Sequence, residues 1–366
     1  MADLTLPSPV IPKGSLILVT GANGFIASHV IDQLLDAGYN VRGTVRDLTR
    51  TNWLNELFEN KYGTGRLETV QVPDITTQTA FADAVKGVSA IAHIASILSG
   101  DRDPANVIPP LLKGTLGLLD AAAKEPSVKR FVLTSSSHAV AAPITGVPKT
   151  VSKDSFNEYA AAAAWYDPPH PPNQGMIVYA ASKVAVEKAV REWVRTRREA
   201  GALGIEVNYV LPSANFGPTL HPDHPGSEPW KWPIALYNGQ PEKAFLPSQH
   251  YIDVRDTARL HLAALLLPDV KDERIFGYAE IYTINRILAV LRTLFPDRSF
   301  VEDICGEPMS LLQVPAAARA EELLRMMGRQ GWTAMEDTIK GNLEWVVPDA
   351  SPDPTADGEN GWREGV

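Results

Sequence analysis

A single cysteine, Cys305, stands in a chain of 366 residues. One thiol excludes an intrachain disulfide and suits a reducing compartment. No catalytic thiol motif surrounds it. Apolar runs of membrane-spanning length are lacking, and Met1–Lys13 has no basic region leading into a long apolar stretch. These absences predict a cytoplasmic protein with no membrane partner. Positive charge is in deficit: 34 Lys and Arg against 43 Asp and Glu give a net charge of −9, which argues against a nucleic-acid surface. Part of the deficit is local. Residues 348–366 carry Asp349, Asp353, Asp357, Glu359 and Glu364 against Arg363 alone, among prolines and glycines. Such a segment cannot bury enough apolar surface to order itself, so a flexible acidic tail is expected, docked at most through Trp362. Clustered metal ligands are missing as well. His221-Pro222-Asp223-His224-Pro225 holds metal-capable side chains, but its prolines read as a solvated loop and no further ligands support a site. No metal is expected.

The hydrophobic content of 45% is ordinary for a globular protein, and the length suffices for one large or two modest cores. Strand-like and helix-like segments alternate as far as about Leu211. That order predicts an α/β fold: a Rossmann-type, doubly wound parallel sheet covered by helices, with a smaller α-rich substrate-binding lobe. Residues 1–211 read as mainly the dinucleotide-binding domain. Residues 212–347 read as mainly the substrate lobe, interleaved with returning elements of the first domain, and 348–366 as the tail.

Leu16-Ile17-Leu18-Val19 is a short apolar run of strand length, and Thr20-Gly21-Ala22-Asn23-Gly24-Phe25-Ile26-Ala27-Ser28 follows it. A helical pattern of Ile26, Val30, Leu34 and Leu35 then runs toward Gly38. Strand, glycine turn and helix come in the order a dinucleotide site needs. Gly21 permits the tight turn, Gly24 lets the backbone approach a diphosphate, and Ala27 allows close packing of helix on strand. The helix N-terminus offers free N–H groups and a positive dipole end, which makes Asn23, Phe25 and Ile26 cofactor-site candidates too. A second strand, Val41 to Val45, ends at Arg46. An acid there would accept hydrogen bonds from a ribose diol, whereas a guanidinium suits a phosphate. Arg46, with Arg50 near it, favours NADP(H) over NAD(H). The adjacent Asp47 pulls the other way, and a plain surface arginine is the competing reading.

Two further segments carry chemistry. Phe131-Val132-Leu133-Thr134-Ser135-Ser136-Ser137 is an apolar strand ending in hydroxyls, at the sheet edge where ligands bind. A serine there can donate to a carbonyl oxygen. Tyr179-Ala180-Ala181-Ser182-Lys183 places a phenol and an ammonium one helical turn apart. A cation beside a phenol is expected to lower its pKa and let it trade a proton near neutrality.

As an ordered series, these motifs resemble the extended short-chain dehydrogenase/reductase family, and most of all its dihydroflavonol-reductase-like branch, which includes yeast and fungal NADPH-dependent aldehyde and ketone reductases. Ala92-His93-Ile94-Ala95-Ser96 and Val254-Arg255-Asp256-Thr257-Ala258 extend the likeness, which runs from about Gly14 to Val347. The resemblance implies a catalytic Ser136, a proton donor Tyr179, and a Lys183 that also bonds the nicotinamide ribose. It implies cofactor contacts from Asp74 and Ile75 beside the adenine, Ala95 and Ser96 at the fourth strand, and Pro212, Ser213 and Asn215 along the nicotinamide. Asp256 corresponds to a structural aspartate. Two positions depart from the family pattern. Gly117 stands where family members often carry Asn, which puts the proton relay behind Lys183 in doubt. Asn215 stands where an apolar residue is common, and a turn cap is as good a reading of it as a ligand contact.

His138–Ile177 is rich in proline, and Gly217–His250 contains Trp230, Trp232, Tyr237 and Phe245. Long irregular segments in a compact domain are usually functional or disordered, and the aromatics argue against disorder for the second. Both are expected to wall an apolar pocket, with His138, Trp230 and Phe245 beside Ser136 as substrate contacts, although packing of the second lobe competes for the aromatics. Phe81–Gly87 reads as a short helix and turn. Helices are expected at Pro109–Ala123, Ala180–Ala200, Thr257–Leu267, Ile281–Leu294, Pro315–Met327 and Trp332–Val346.

The leading expectation is an oxidoreductase that reduces a small aldehyde or ketone, aromatic compounds and ketoesters included, acting as a monomer or homodimer. An NAD-retaining nucleotide-sugar epimerase or dehydratase is the alternative on the same fold. A non-catalytic NADP-sensing protein is the third reading, and an intact Ser136, Tyr179 and Lys183 argues against it.

Overall fold

The computed structural model of the chain describes residues 9–244 and 247–347. The expected acidic tail, Trp362 and Phe245 lie outside the described residues.

The first half alternates as its pattern predicts: β1 (Leu16–Thr20), α1 (Phe25–Asp36), β2 (Asn40–Val45), α2 (Asn52–Tyr62), β3 (Leu67–Gln71), β4 (Ala90–His93), α3 (Ile108–Lys124) and β5 (Arg130–Thr134). Two short pieces follow, β6 (Lys149–Thr150) and α4 (Glu158–Ala163), and then the long α5 (Gln174–Glu199) and β7 (Glu206–Pro212). The second half holds β8 (Ala214–Phe216), α6 (Glu228–Tyr237), β9 (Gln249–Asp253), α7 (Val254–Leu266), β10 (Arg274–Gly277), β11 (Ile281–Tyr282), α8 (Ile284–Leu294), β12 (Leu312–Gln313), α9 (Ala317–Met326) and α10 (Met335–Asn342).

Seven parallel strands form the main sheet in the order β10-β7-β5-β4-β1-β2-β3. Strand β1 is apolar on both faces because both are covered. Ile17 and Val19 pack with α1, α2, α7 and α9, while Leu18 packs with α3 and α5. The order reverses between β1 and β4, and that switch point opens a crevice at the carboxyl ends of the strands. The fold class is the expected one.

The second lobe is more mixed than its helical reading. It is built on a three-stranded sheet, β11-β9-β8, with α6, α8 and α10 around Phe216, Trp232, Tyr251 and Tyr282. Not every helix after Asp253 joins it. Helix α7 packs along α1 in the main core, and β10 extends the main sheet beside β7. Asp256 on α7 is buried and accepts from the Thr333 N–H at 2.7 Å and its hydroxyl at 2.9 Å, so it anchors the approach to α10. Phe81–Gly87 forms successive turns rather than a helix. Its bonds are mostly of i→i+3 type, and so short a segment lacks the length for cooperative helix formation. The helix expected from Ile281 starts at Ile284, capped by Thr283, because Ile281 and Tyr282 pair with β9. Among the described residues, no helix is long and apolar enough to cross a membrane.

Candidate active site

Strand β5 delivers Ser136 to the crevice, and α5 presents Tyr179 and Lys183 on one face, a turn apart. The structure brings the three together. Ser136 caps the 3-10 turn that follows, accepting the His138 N–H at 3.2 Å, and its side chain lies near enough to the Tyr179 phenol to favour the phenolate. Lys183 Nζ donates to the Thr134 carbonyl at 3.2 Å and lies 5.9 Å from the centre of the Tyr179 ring. The electrostatics correct one expectation. Burial pushes the Tyr179 phenol up, and the nearby Ser136 side chain offsets only part of that. The ammonium does not lower it because it is turned onto Thr134. Burial brings Lys183 itself down to about 8, opposed by the Glu187 carboxylate. At neutral pH the site therefore holds a protonated phenol beside a mostly charged amine, the forms a proton donor and its cation need.

Glu187, one turn beyond Lys183 on the same face of α5, escaped the sequence reading. Its carboxylate accepts from Ser135 Oγ at 2.6 Å and from Arg274 Nε at 2.5 Å, and all three residues are buried. The Arg274 guanidinium also lies 4.3 Å from the Phe156 ring centre and donates to the Lys153 and Ser155 carbonyls. Part of the proline-rich segment expected to wall the pocket is thus tied to this buried pair. The i, i+4, i+8 spacing of Tyr179, Lys183 and Glu187 was the available signal.

His138 sits edge-on to Tyr179 with ring centres 5.8 Å apart. Burial brings its imidazole down to about 4, and its buried Nε2 has no hydrogen-bond partner. Ser137, Ser213, His250 and Tyr278 line a small cleft that begins at the residue next to Ser136 and His138. His250 Nδ1 is likewise buried without a partner. His250 and Tyr278 come from β9 and the turn after β10, and no local pattern marked them. The aromatics of the second irregular segment do less at the site than expected. Trp232 packs against Phe216 and Tyr282, and Tyr237 against Phe295, because a small lobe fills its core with large rings. Trp230 lies against the Gly226 backbone. Among the described residues, no hydrogen bond or ring contact joins it to Tyr179.

On the other side of the crevice, Gly21 adopts φ +72°, open to glycine at little cost, and a Cβ there would come within 3.3 Å of Ala95. Thr20 Oγ1 accepts the N–H groups of Ile94 and Ala95, both at 3.0 Å, and so holds the edge of β4 against the turn. Asn23 is half-buried in the turn, Phe25 and Ile26 open α1, and Gly24 is its N-cap. That helix start has no side-chain cap and no acid in its first turn. Ser96 Oγ is buried without a partner. Arg46 and Arg50 are exposed, and among the described residues neither guanidinium makes a hydrogen bond or ion pair. The competing Asp47 is committed elsewhere, since its carboxylate accepts from the Thr49 N–H at 2.9 Å and hydroxyl at 2.7 Å. An uncapped helix start, an unpartnered hydroxyl and two uncommitted guanidiniums fit a dinucleotide carrying an extra phosphate.

Other candidates also make contacts within the protein. Asp74 accepts from Thr76 at 2.9 and 2.6 Å to close its turn, and Ile75 offers its carbonyl side to Gly114. Pro212 ends β7, and Ser213 donates to the His250 carbonyl at 2.6 Å. Asn215 uses both ends of its amide, donating to the Ser213 carbonyl at 2.9 Å and accepting from Thr257 at 2.6 Å. Its role is to tie strand to helix. Gly117 also has a packing reason. A Cβ there would lie 2.2 Å from the Gln78 carbonyl oxygen, so α3 needs glycine to pack on the 75–78 turn, and the position does not face Lys183. The loop 217–226 is not solvated as expected. His224 is buried, and His221 is stacked on Trp53 with ring centres 5.6 Å apart.

The profile of the NAD dependent epimerase/dehydratase family matches residues 17–277. Aldehyde reductase 2 of Sporidiobolus salmonicolor is 37% identical over 338 residues, covering 92% of this chain and 97% of that protein. Ketoreductase nvfG of Aspergillus novofumigatus is 37% identical over 334 residues, covering 90% and 96%. The crystal structure of yeast methylglyoxal/isovaleraldehyde reductase Gre2 complexed with NADPH superposes with a TM-score of 0.76 at 25% identity, covering 91% of this chain and 98% of that one.

Proposed function

The chain belongs to the NAD dependent epimerase/dehydratase family, the extended short-chain dehydrogenases/reductases, and from that premise we propose that it is an NADPH-dependent carbonyl reductase converting an aldehyde or ketone to an alcohol. The observation that carries this reading is the meeting of Ser136, Tyr179 and Lys183 across the crevice from the glycine turn. A reduced nicotinamide, when bound, supplies the hydride. The Tyr179 hydroxyl gives its proton to the carbonyl oxygen as negative charge grows there, and Ser136 hydrogen-bonds the same oxygen. Lys183, charged below about 8 and one turn away, stabilises the phenolate left behind once its ammonium swings from the Thr134 carbonyl toward the phenol. Glu187 holds that charge in place through the lysine. His138 and His250 offer the substrate neutral ring nitrogens that the protein leaves unpartnered. Arg46 and Arg50 take the ribose phosphate, and Ser96 bonds the cofactor beside Ala95.

Relatives named as an aldehyde reductase and a ketoreductase support the reaction class, and the yeast reductase complexed with NADPH supports the cofactor. The exposed Cys305 thiol suits the cytoplasmic location we also propose. A panel of aldehydes, ketones and ketoesters assayed with NADPH and NADH tests the reading. Faster oxidation of NADPH on part of the panel is expected. No turnover on any member, with NAD retained in the purified protein, would replace it with the epimerase alternative.

A further inference from the structure

The loop 217–226 joins the second lobe to the glycine turn of the first. Both lobes pin it. His29 on α1 donates Nε2–H to the Pro218 carbonyl at 2.8 Å, Asn342 on α10 accepts the Gly217 N–H at 2.6 Å, and Trp345 donates to the Thr219 carbonyl at 3.0 Å. Two rings of the first lobe receive its histidines. His221 stacks on Trp53 of α2. His224 meets Trp53 edge-on at 5.3 Å and lies 6.0 Å from Phe25, the first residue of α1.

His224 is 3% exposed. Its Nδ1 accepts the Gly226 N–H at 2.9 Å, which assigns the ring proton to Nε2. That Nε2 is buried and, among the described residues, has no hydrogen-bond partner. It lies close enough to the carbonyls of Asn23 and Gly24 to feel their dipoles, without meeting either in hydrogen-bond geometry. A buried donor left unpaired costs free energy unless something completes it. The place it occupies is the start of α1, twelve residues long, uncapped by any side chain and free of acids in its first turn. The first-turn N–H groups there lack intrahelical partners, and the helix dipole is positive at that end.

We propose that His224 donates its Nε2–H to the diphosphate of the bound dinucleotide, so that the second lobe supplies one wall of the anion site at the start of α1. The assignment rests on the dinucleotide reading above and adds a residue to it. The 217–226 loop then acts as a strap: cofactor bound at α1 draws on a residue fixed to α6 and α10, and so favours one placement of the lobe that carries part of the substrate cleft.

Calorimetric titration of NADPH and of adenosine 2′-monophosphate, which has the ribose phosphate but no diphosphate, separates the contact from general packing. His224→Ala should weaken NADPH about tenfold or more, the worth of one hydrogen bond to a charged group, and leave the monophosphate unchanged. His224→Gln keeps an N–H donor and fills most of the ring's space, so it should recover part of the loss and guard against a folding defect in the alanine variant. Unchanged NADPH affinity in both variants, or equal weakening of both ligands, would overturn the assignment alone. Wild-type protein that binds neither NADPH nor NADH would overturn the cofactor reading and the assignment together.

Discussion

The carboxylate behind Lys183 and the polar groups around the glycine turn are handled in opposite ways. Behind Lys183, Glu187 is fully engaged, between Ser135 and Arg274, and none of it is exposed. Around the glycine turn, Ser96 and His224 keep buried polar atoms unpartnered, and Arg46 keeps its guanidinium uncommitted. A buried charge without a partner is costly, so the carboxylate behind the cation needed for proton transfer is paired by the protein itself, while Arg274 Nη2 and the neighbouring His138 Nε2 keep open positions. The other side leaves its donors for a ligand that brings its own negative charge. The difference separates residues that set the state of the site from residues that capture what enters it.

The sharpest way to break this division is Tyr179→Phe. It should lower the reduction rate by roughly 10²–10⁴-fold, the usual worth of general acid catalysis, while NADPH affinity by titration stays the same. Loss of binding in step with rate would merge the two sides. Glu187→Ala comes next. It leaves the Arg274 guanidinium buried without its carboxylate and should cost roughly 3–5 kcal/mol in urea unfolding. A cost typical of a surface residue would mean that the completed side is completed by something else. Arg46→Ala probes the open side. NADPH should weaken about tenfold to a hundredfold, as expected for lost charge-assisted bonds, with NADH unaffected. Equal losses for the two cofactors would remove Arg46 from phosphate recognition. The smallest effect is one of pH. Lys183 titrates near 8 in the folded protein, so the rate of reduction should fall as pH rises through that value. The Glu187 charge raises this pKa, so Glu187→Gln should move the alkaline limb to lower pH. A limb that stays in place would show that Glu187 does not act through Lys183.

What was legible in the sequence was local. Gly21 and Gly24, or Tyr179 and Lys183, sit within one turn or one helix, where spacing alone fixes geometry. Ser136 was legible because a strand end in a parallel sheet has a known place relative to ligand. The same helical spacing, extended one turn further, reaches Glu187. His250, Tyr278, Arg274 and His224 gave no such signal. Each comes from a segment far along the chain: β9 of the second lobe carries His250, β10 paired with β7 carries Arg274 and leads to Tyr278, and the loop between lobes carries His224. Gly117 shows a different limit. As a departure from the family pattern it puts the proton relay in doubt, and only the fold adds that a carbonyl from the 75–78 turn is pressed against the helix there. The direction of the Tyr179 shift is not legible for a related reason: spacing places two groups on one face, but only the fold decides how deeply the phenol is buried and which acceptor claims the cation.

The pairing of β10 with β7 also has a consequence in time. A chain made from its N-terminus has the glycine turn, Ser136, Tyr179 and Lys183 in hand well before Arg274, which follows Glu187 by 87 residues. Until that arginine emerges, Glu187 has no cation to meet, and the sheet lacks its edge strand. A nascent chain halted between the two would own every proposed catalytic side chain and still lack the partner that lets Glu187 be buried, so assembly of the active site waits on a late segment of the chain.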